Sequence, residues 1–369
     1  MNMVKNLTEG RPLNLLFFFA LPMVAGNLFQ QLYNMVDTAV VGKFVGEDAV
    51  AAVGSSFPIV FLSVAVASGL SMGCTVVVSQ LFGAGRIHEM KTTISTAIIS
   101  LGVLGLLIMG LGTLLAGPLL QLLGTDPDIM ADSRTYLQIY FGGAVFLFLY
   151  NTLNGIYNAQ GDSRTPLLFL MISSLTNIVL DLVFVIQFHM GVAGVAIATI
   201  CSQLLSAVLV VISLMRSEMT SYQLFPKRLR IYAMPMRSIL MIGVPTALQS
   251  VMYNASNIVI QASINSFGTD AVAAWTAYGK MDIIFWMTIT AMAQSITTFA
   301  GQNYGAGEYE RLKKGVRVSV AMTAGFTILL STAFFLLAQP LLAIFSPDPD
   351  VLEVGVEMVR FLAPCYITY

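Results

Sequence analysis

The sequence predicts an all-α protein that crosses a membrane many times and consists of two parallel six-helix repeats, the second one incomplete. The composition, the spacing of the apolar segments and an internal repeat predict this class. Of the 369 residues, 57% are hydrophobic and 10% are charged, and the mean hydropathy is +0.81. Soluble domains carry about 25% charged residues, so the composition favours a polytopic membrane protein over a soluble globular one.

Nine apolar segments are each long enough to cross a bilayer, which takes about 20 helical residues. A tenth begins near residue 357 and stops with the chain at Tyr369. No small-residue cleavage pattern follows the first segment, so we interpret it as a membrane helix and not as a signal peptide. The nine predicted spans are 13–38, 50–80, 94–122, 136–158, 166–188, 192–215, 238–264, 275–300 and 318–345.

The charged residues sort by side of the predicted membrane. Most of the 18 Lys and Arg residues lie before span one or in the loops that follow spans two, four, six and eight. The loops on the other side carry acidic residues, as at 126–132 and 348–357. By the positive-inside rule, this pattern predicts a cytoplasmic N-terminus.

Three sequence blocks recur at one offset of 222 residues, the length of six spans. Because six is an even number, both copies keep the same orientation, and such parallel repeats are related by an axis along the membrane normal. The paired blocks are EDAVAAV with TDAVAAW, LFGAGR with NYGAGE, and GTDPDI with SPDPDV.

The repeat divides the chain into two bundles. Residues 1–215 are the predicted N-lobe with spans one to six, and the basic segment 216–237 is the predicted cytoplasmic linker. Residues 238–369 are the predicted C-lobe, with spans seven to nine and the start of span ten. By comparison with the first copy, we infer that most of span ten and all of spans eleven and twelve are missing from this chain.

Three of the 19 acidic residues lie inside predicted membrane segments, namely Asp37, Asp181 and Asp282. A carboxylate within the bilayer costs several kcal/mol, so the default interpretation of such a residue is functional. Asp282 is the weakest of the three candidates, because it follows Lys280 near the start of span eight and the two could pair at the interface.

Polar side chains accompany Asp37 and Asp181 at helical spacing, on one face of each span. Both acids fall in the outer half of the membrane, since spans one and five run in the same direction, and they could share one cavity. Span seven repeats the amides of span one without the acid, which favours an ion or proton site in the N-lobe. For the amides, the alternative is that they only join helices by hydrogen bonds. The polar faces contain Gln30, Asn34 and Asp37 in span one, Tyr136, Asn151 and Asn154 in span four, and Asn177 and Asp181 in span five.

Other motifs narrow the function classes. Pro22 in span one and Pro245 in span seven are matched prolines, which favours bending points over incidental kinks. The segment GLSMG at 69–73 fits a hydrolase pattern, but it lies within span two and not on a strand-to-helix turn, so helix packing explains it better. The chain has no phosphate-binding loop of the ATPase type. An ion gradient is therefore the expected energy source.

These residues together resemble the multidrug and toxic compound extrusion (MATE) family of transporters, in its bacterial DinF-like branch. The resemblance covers essentially the whole chain. It rests on the segments ALPMVAGNLFQQLYNMVDTAVVG in span one, SQLFGAG and GQNYGAG after spans two and eight, NAQGDSRTP after span four, and NIVLDLVFVI in span five.

The resemblance implies a twelve-helix architecture with a V-shaped central cleft, in the bacterial inner (cytoplasmic) membrane. It implies export of small amphipathic, cationic drugs or toxins in exchange for H⁺ or Na⁺, with no other cofactor and no nucleic-acid partner, by a monomer. The cation-coupling residues implied are Asp37, Asn177, Asp181 and Thr199, which are also the possible Na⁺ ligands, with Gln30, Tyr136 and Asn151 as neighbours.

Three alternatives stay open. A flippase for a lipid-linked precursor, from the same superfamily, would need a cationic central cavity, and no Lys or Arg lies mid-span. A membrane-embedded enzyme would need a catalytic dyad, which the sequence does not supply. The third alternative is that the chain transports nothing by itself.

Overall fold

The computed structural model describes residues 6–216, 229–345 and 348–368. Within these ranges the chain is helical almost throughout and has no strand, so the predicted all-α class is confirmed. Seven of the described helices are long and apolar enough to cross a membrane, and a bent helix pair makes an eighth.

The N-lobe consists of seven α-helices and one π-helical turn. These elements are α1 (Pro12–Phe44), α2 (Glu47–Gly83), α3 (Ile87–Leu122), α4 (Met130–Gly142), α5 (Ala144–Ala159), α6 (Arg164–Leu182), the π-helical turn Val183–Gln187 and α7 (Gly191–Arg216).

The predicted span four, 136–158, is not one straight helix. It is divided into α4 and α5, which bend by 49° at Gly143. Gly143 approaches α7 so closely that a Cβ there would lie 2.6 Å from Cγ1 of Ile200. A glycine at such a contact lets the helices approach and weakens the helix locally, which explains the break.

The C-lobe as described consists of α8 (Ala233–Asn265), α9 (Thr269–Gly305), α10 (Tyr309–Leu336), α11 (Ala338–Leu342), α12 (Pro349–Leu362) and the 3₁₀ turn Ala363–Thr368. Helix α8, the predicted span seven, is long but more polar than the seven apolar helices, in keeping with its stripe of amides. The predicted span nine, 318–345, ends at Leu336 and continues as the short α11. Most of the predicted linker, at 217–228, lies outside the described residues, as do Ser346 and Pro347 of the third repeat block.

The two lobes meet where α2 crosses α9. A Cβ on Gly83 would collide with the carbonyl oxygen of Gln302, and a Cβ on Gly305 would collide with that of Gln80. Gly83 and Gly305 are equivalent in the 222-residue repeat, and so are Gln80 and Gln302. The crossing therefore has local two-fold symmetry, as the parallel repeat predicts.

The lobes are joined at the end of the molecule that carries the N-terminus. Ser295 of α9 donates a hydrogen bond to the carbonyl of Leu16 in α1 (3.1 Å), and Asn27 donates to the carbonyl of Met287 (3.0 Å). Further along α1, the side chains of Leu32 and Met35 are exposed. The acids Asp37 and Asp181 lie toward this second end, where the lobes are not held together by such contacts.

Candidate functional site

Asp37 and Asp181 lie next to each other in the N-lobe. Helices α1 and α6 pack side by side, and the two carboxyl groups are within hydrogen-bonding reach. When both carboxyl groups are ionised, they repel each other at this separation, because no proton lies between them. The pair therefore calls for a shared proton or a bound cation.

The carboxyl pair belongs to a set of buried polar atoms that have no hydrogen-bond partner among the described residues. Asn177 and Asp181 are both 0% exposed, and neither the amide group of Asn177 nor the carboxyl oxygens of Asp181 are bonded. Oδ1 of Asp37 likewise is buried and has no hydrogen-bond partner among the described residues. Buried polar groups are nearly always satisfied in proteins, so these unbonded carboxyl oxygens, with the amide of Asn177 beside them, mark the pair as the candidate functional site.

Three tyrosines and two polar residues of α7 surround this pair. The hydroxyl of Tyr33, one turn before Asp37 on α1, lies beside the side chain of Thr199, which donates a hydrogen bond to the carbonyl of Val195 (3.1 Å). Tyr140 lies beside Gln203, and its ring stacks on that of Tyr136 at 6.3 Å between centroids. The phenols of Tyr136 and Tyr140 are buried beside the carboxyl groups.

Apolar side chains close the site off from the rest of the lobe. Tyr136 and Tyr140 pack in one cluster with Val40, Val185 and Val195. Asp181 is the second-to-last residue of α6, and only Leu182 separates it from the π-helical turn Val183–Gln187. Single π-helical turns occur frequently at functional sites, and this one lies against the predicted coupling acid.

Four of the predicted site residues lie elsewhere. Gln30 and Asn34 are exposed on α1 and have no described contact with the carboxyl pair. Asn151 of α5 accepts a hydrogen bond from Ser68 of α2 (3.3 Å) and donates to the carbonyl of Leu147 (2.8 Å). Asn154 accepts from Asn158 one turn later (3.1 Å). The bond between Ser68 and Asn151 fits the alternative in which such amides only join helices, whereas the bond of Asn154 lies within α5.

The two predicted bending prolines lie inside continuous helices. Pro22 is half-buried within α1, and Pro245 is exposed within α8. A proline inside a helix removes one backbone hydrogen bond and weakens the helix at that point. Both positions suit a bend, and the bend itself stays a prediction.

Asp282 does not have the partner that we expected. Its carboxylate accepts a hydrogen bond from the hydroxyl of Tyr366 (2.5 Å), and Tyr278 contacts both groups. Lys280 is exposed, and no ion pair joins it to Asp282 in the described part of the C-lobe. Residues two apart point to opposite sides of a helix, so the pairing with Lys280 was wrong.

Sequence reasoning missed Tyr33 and Gln203. Tyr33 precedes Asp37 by four residues and Gln203 follows Thr199 by four, so helical spacing could have placed both on the faces already chosen.

Comparisons with known proteins agree with this architecture. The profile of the MatE family matches residues 22–183 and 245–369. The probable multidrug resistance protein YoeA of Bacillus subtilis is 26% identical over 359 residues, which are 95% of this chain and 77% of that protein. An FAD transporter of Shewanella oneidensis is 26% identical over 354 residues, 94% of this chain and 77% of its own length.

A solved structure described as the outward-facing conformation of a multidrug resistance MATE family transporter superposes with a TM-score of 0.91 at 23% identity. The superposition covers 100% of this chain and 82% of the chain in that structure. At this level of identity, the likeness establishes the fold. The family profile, which matches most of the chain, confirms at the family level the resemblance proposed from the span-one acid and the paired GAG loops.

Proposed function

Since the chain belongs to the MatE family, whose members are transporters and not enzymes, we propose that it is a cation-coupled antiporter that exports small amphipathic cations. The observation that carries the proposal is the pair formed by the half-buried Asp37 and the fully buried Asp181, with the unpartnered amide of Asn177 one turn before Asp181. Such a group of oxygen atoms is stable when a proton or a cation neutralises it.

The coupling ion is a proton or a sodium ion. A proton would bridge the two carboxyl groups. Sodium would take hard oxygen ligands, and the oxygens of Asp37, Asn177, Asp181 and Thr199 are the set that this part of the N-lobe offers. Either ion removes the cost of holding ionised carboxylates in the bilayer.

The charge distribution supports a cationic substrate. Asp37, Asp181 and Asp282 lie in membrane helices, whereas none of the described Lys or Arg side chains is buried. A flippase or an exporter of an anion such as FAD, whose pyrophosphate is negatively charged, would need the opposite charge in its cavity. This distribution therefore favours drug-like cations over the substrate named for the Shewanella relative.

Coupling follows from the position of the pair on α1. When a cation neutralises Asp37 and Asp181, the repulsion that separates α1 from α6 disappears, and α1 can bend about Pro22 toward α6. The bend closes the drug pocket of the N-lobe, so ion entry and drug release exclude each other. The N-terminus faces the cytoplasm, in the bacterial inner membrane, in this proposal.

A transport assay in vesicles tests the coupling. The purified chain is reconstituted, and efflux of a fluorescent cationic dye is followed with a pH gradient or a sodium gradient imposed separately. We expect one gradient to drive efflux, and Asp37→Asn and Asp181→Asn each to abolish most of it, because the amide neither binds the proton nor supplies a charged ligand.

The matched control is Asp132→Asn, which removes an exposed carboxylate at the start of α4 in the same lobe. It should transport as the unmodified chain does. If both interior variants also export dye at the unmodified rate, the coupling proposal is wrong. Efflux without either gradient would contradict antiport.

A further inference from the structure

Residues 6–11, which we name the N-terminal strap, connect the two lobes. The side chain of Leu7 is only 1% exposed and packs with Leu16 and Phe19 of α1 and with Phe299 of α9. The strap is continuous with α1 of the N-lobe, whereas α9 belongs to the C-lobe. Leu7 therefore fills a joint between the lobes.

Gln302 of α9 holds three segments together. Its Oε1 accepts a hydrogen bond from the backbone N–H of Leu7 (2.9 Å), and its Nε2 donates to the carbonyl of Ala159 at the end of α5 (2.9 Å). The neighbouring Asn303 donates to the carbonyl of Leu7 (3.2 Å). Both amides are 0% exposed, so the strap, the N-lobe and the C-lobe share one buried polar cluster.

Arg311 of α10 holds the strap from its outer side. One guanidinium nitrogen donates to the carbonyl of Gly10 (2.6 Å) and the other to that of Leu7 (3.2 Å). The guanidinium carbon also lies 5.5 Å from the ring centroid of Phe299. Gly10 has a φ of +87°, a conformation that favours glycine, at the turn where the chain enters α1.

We propose that the strap is a latch that holds the two lobes closed at the cytoplasmic end and must be released before that end can open. The inference rests on the proposed function in one respect, the assignment of this end of the molecule to the cytoplasmic side. Every strap bond described above runs from a C-lobe side chain to the N-lobe backbone, so all of them exist only in the closed arrangement. When the lobes part, these groups form hydrogen bonds with water instead, so the closed state can open and form again.

The test measures how often the closed end opens. Thr298→Cys is introduced in a chain whose three native cysteines are replaced by serine, because Thr298 is 0% exposed and follows Ser295 on the face of α9 that meets α1. The rate of labelling by a membrane-impermeant maleimide is then compared with and without Gln302→Leu. We expect labelling to be about tenfold faster with Gln302→Leu, the size of effect that losing buried hydrogen bonds has on a two-state equilibrium.

A second variant and a control make the result decisive. Arg311→Met removes the two outer bonds at a less buried position and should also accelerate labelling. Gln339→Leu changes an exposed glutamine on α11 and should not. The latch is overturned if Gln302→Leu and Arg311→Met, each folded by its melting curve, label at the rate of the parent, or if Gln339→Leu accelerates labelling equally.

The labelling is carried out without dye or ion gradients. A chain that fails in the transport assay can therefore still confirm or contradict the latch. Conversely, an active transporter whose labelling is unaffected by Gln302→Leu and Arg311→Met would keep its proposed function and lose the latch.

Discussion

The acids within the membrane helices differ in what surrounds them. Asp282 receives a hydrogen bond from Tyr366, and the ring of Tyr366 stacks on Phe285 at 4.0 Å between centroids. Asp181 has another acid and an unbonded amide beside it, and none of the described side chains donates a hydrogen bond to its carboxyl oxygens. A carboxylate with a protein donor can serve structure alone, whereas one without a donor is stabilised by a proton or a cation. Asp282 therefore ties the 3₁₀ turn Ala363–Thr368 to α9.

We expect Tyr366→Phe to destabilise the C-lobe by roughly 1–3 kcal/mol, because it removes the short hydrogen bond from Tyr366 to a half-buried carboxylate. Thermal unfolding in detergent measures the effect. Tyr304→Phe is the control, since Tyr304 is 55% exposed. Equal melting temperatures for the two variants would show that the Tyr366–Asp282 bond contributes nothing.

Helical spacing predicted that Asp37 and Asp181 lie in one region, but it could not predict which side chains the neighbouring hydroxyl groups contact. Asp37 and Asp181 could be brought together from the direction of two spans alone. The placement of the Tyr33 hydroxyl beside Thr199 depends on the rotation of α1 against α7, and rotation is set by packing against several helices at once. The same limit explains why Gln30 and Asn34 were predicted at the site and lie exposed on α1.

For the individual helices, the length of the apolar segments predicted where each helix lies. The prediction failed where glycines or polar residues interrupt such a segment. Span four was predicted as one helix because its apolar run continues through Gly142 and Gly143, and only the contact with Ile200 shows the break. Helix α8 was predicted as one of the apolar segments long enough to cross the bilayer. It is not among the seven described helices that are apolar enough to do so, in keeping with its polar stripe.

The α2–α9 crossing depends on glycine. We expect Gly305→Ala to lower the melting temperature sharply, because the new methyl group would collide with the backbone of Gln80 and push the helices apart. The matched control is Gly110→Ala in the interior of α3, where no atom lies within 4 Å of a Cβ. Gly110→Ala should be neutral or stabilise by about 0.5–1 kcal/mol, the helix propensity difference. A Gly305→Ala protein as stable as the parent would contradict the close crossing.

For the whole molecule, the charge pattern predicts which loops face each side of the membrane. A single cysteine at Asp128→Cys, in the acidic loop before α4, should react with an impermeant maleimide added to intact cells. Lys314→Cys, in the first turns of α10, should react only after the membrane is permeabilised. The reverse pattern would place the N-terminus outside and would reverse the direction of the proposed transport.

The symmetry of the α2–α9 crossing has a consequence for the origin of the chain. Ser79 and Gly301 are equivalent in the repeat and face each other, so the two-fold axis runs between them. In symmetric homodimers, one patch binds its own copy, and contacts come in reciprocal pairs. The pairs Gly83 with Gln302 and Gly305 with Gln80 have that form. We infer that the crossing preserves the interface of an ancestral homodimer, whose two identical subunits were later fused and free to diverge, so that Asp37 in one half corresponds to Val259 in the other.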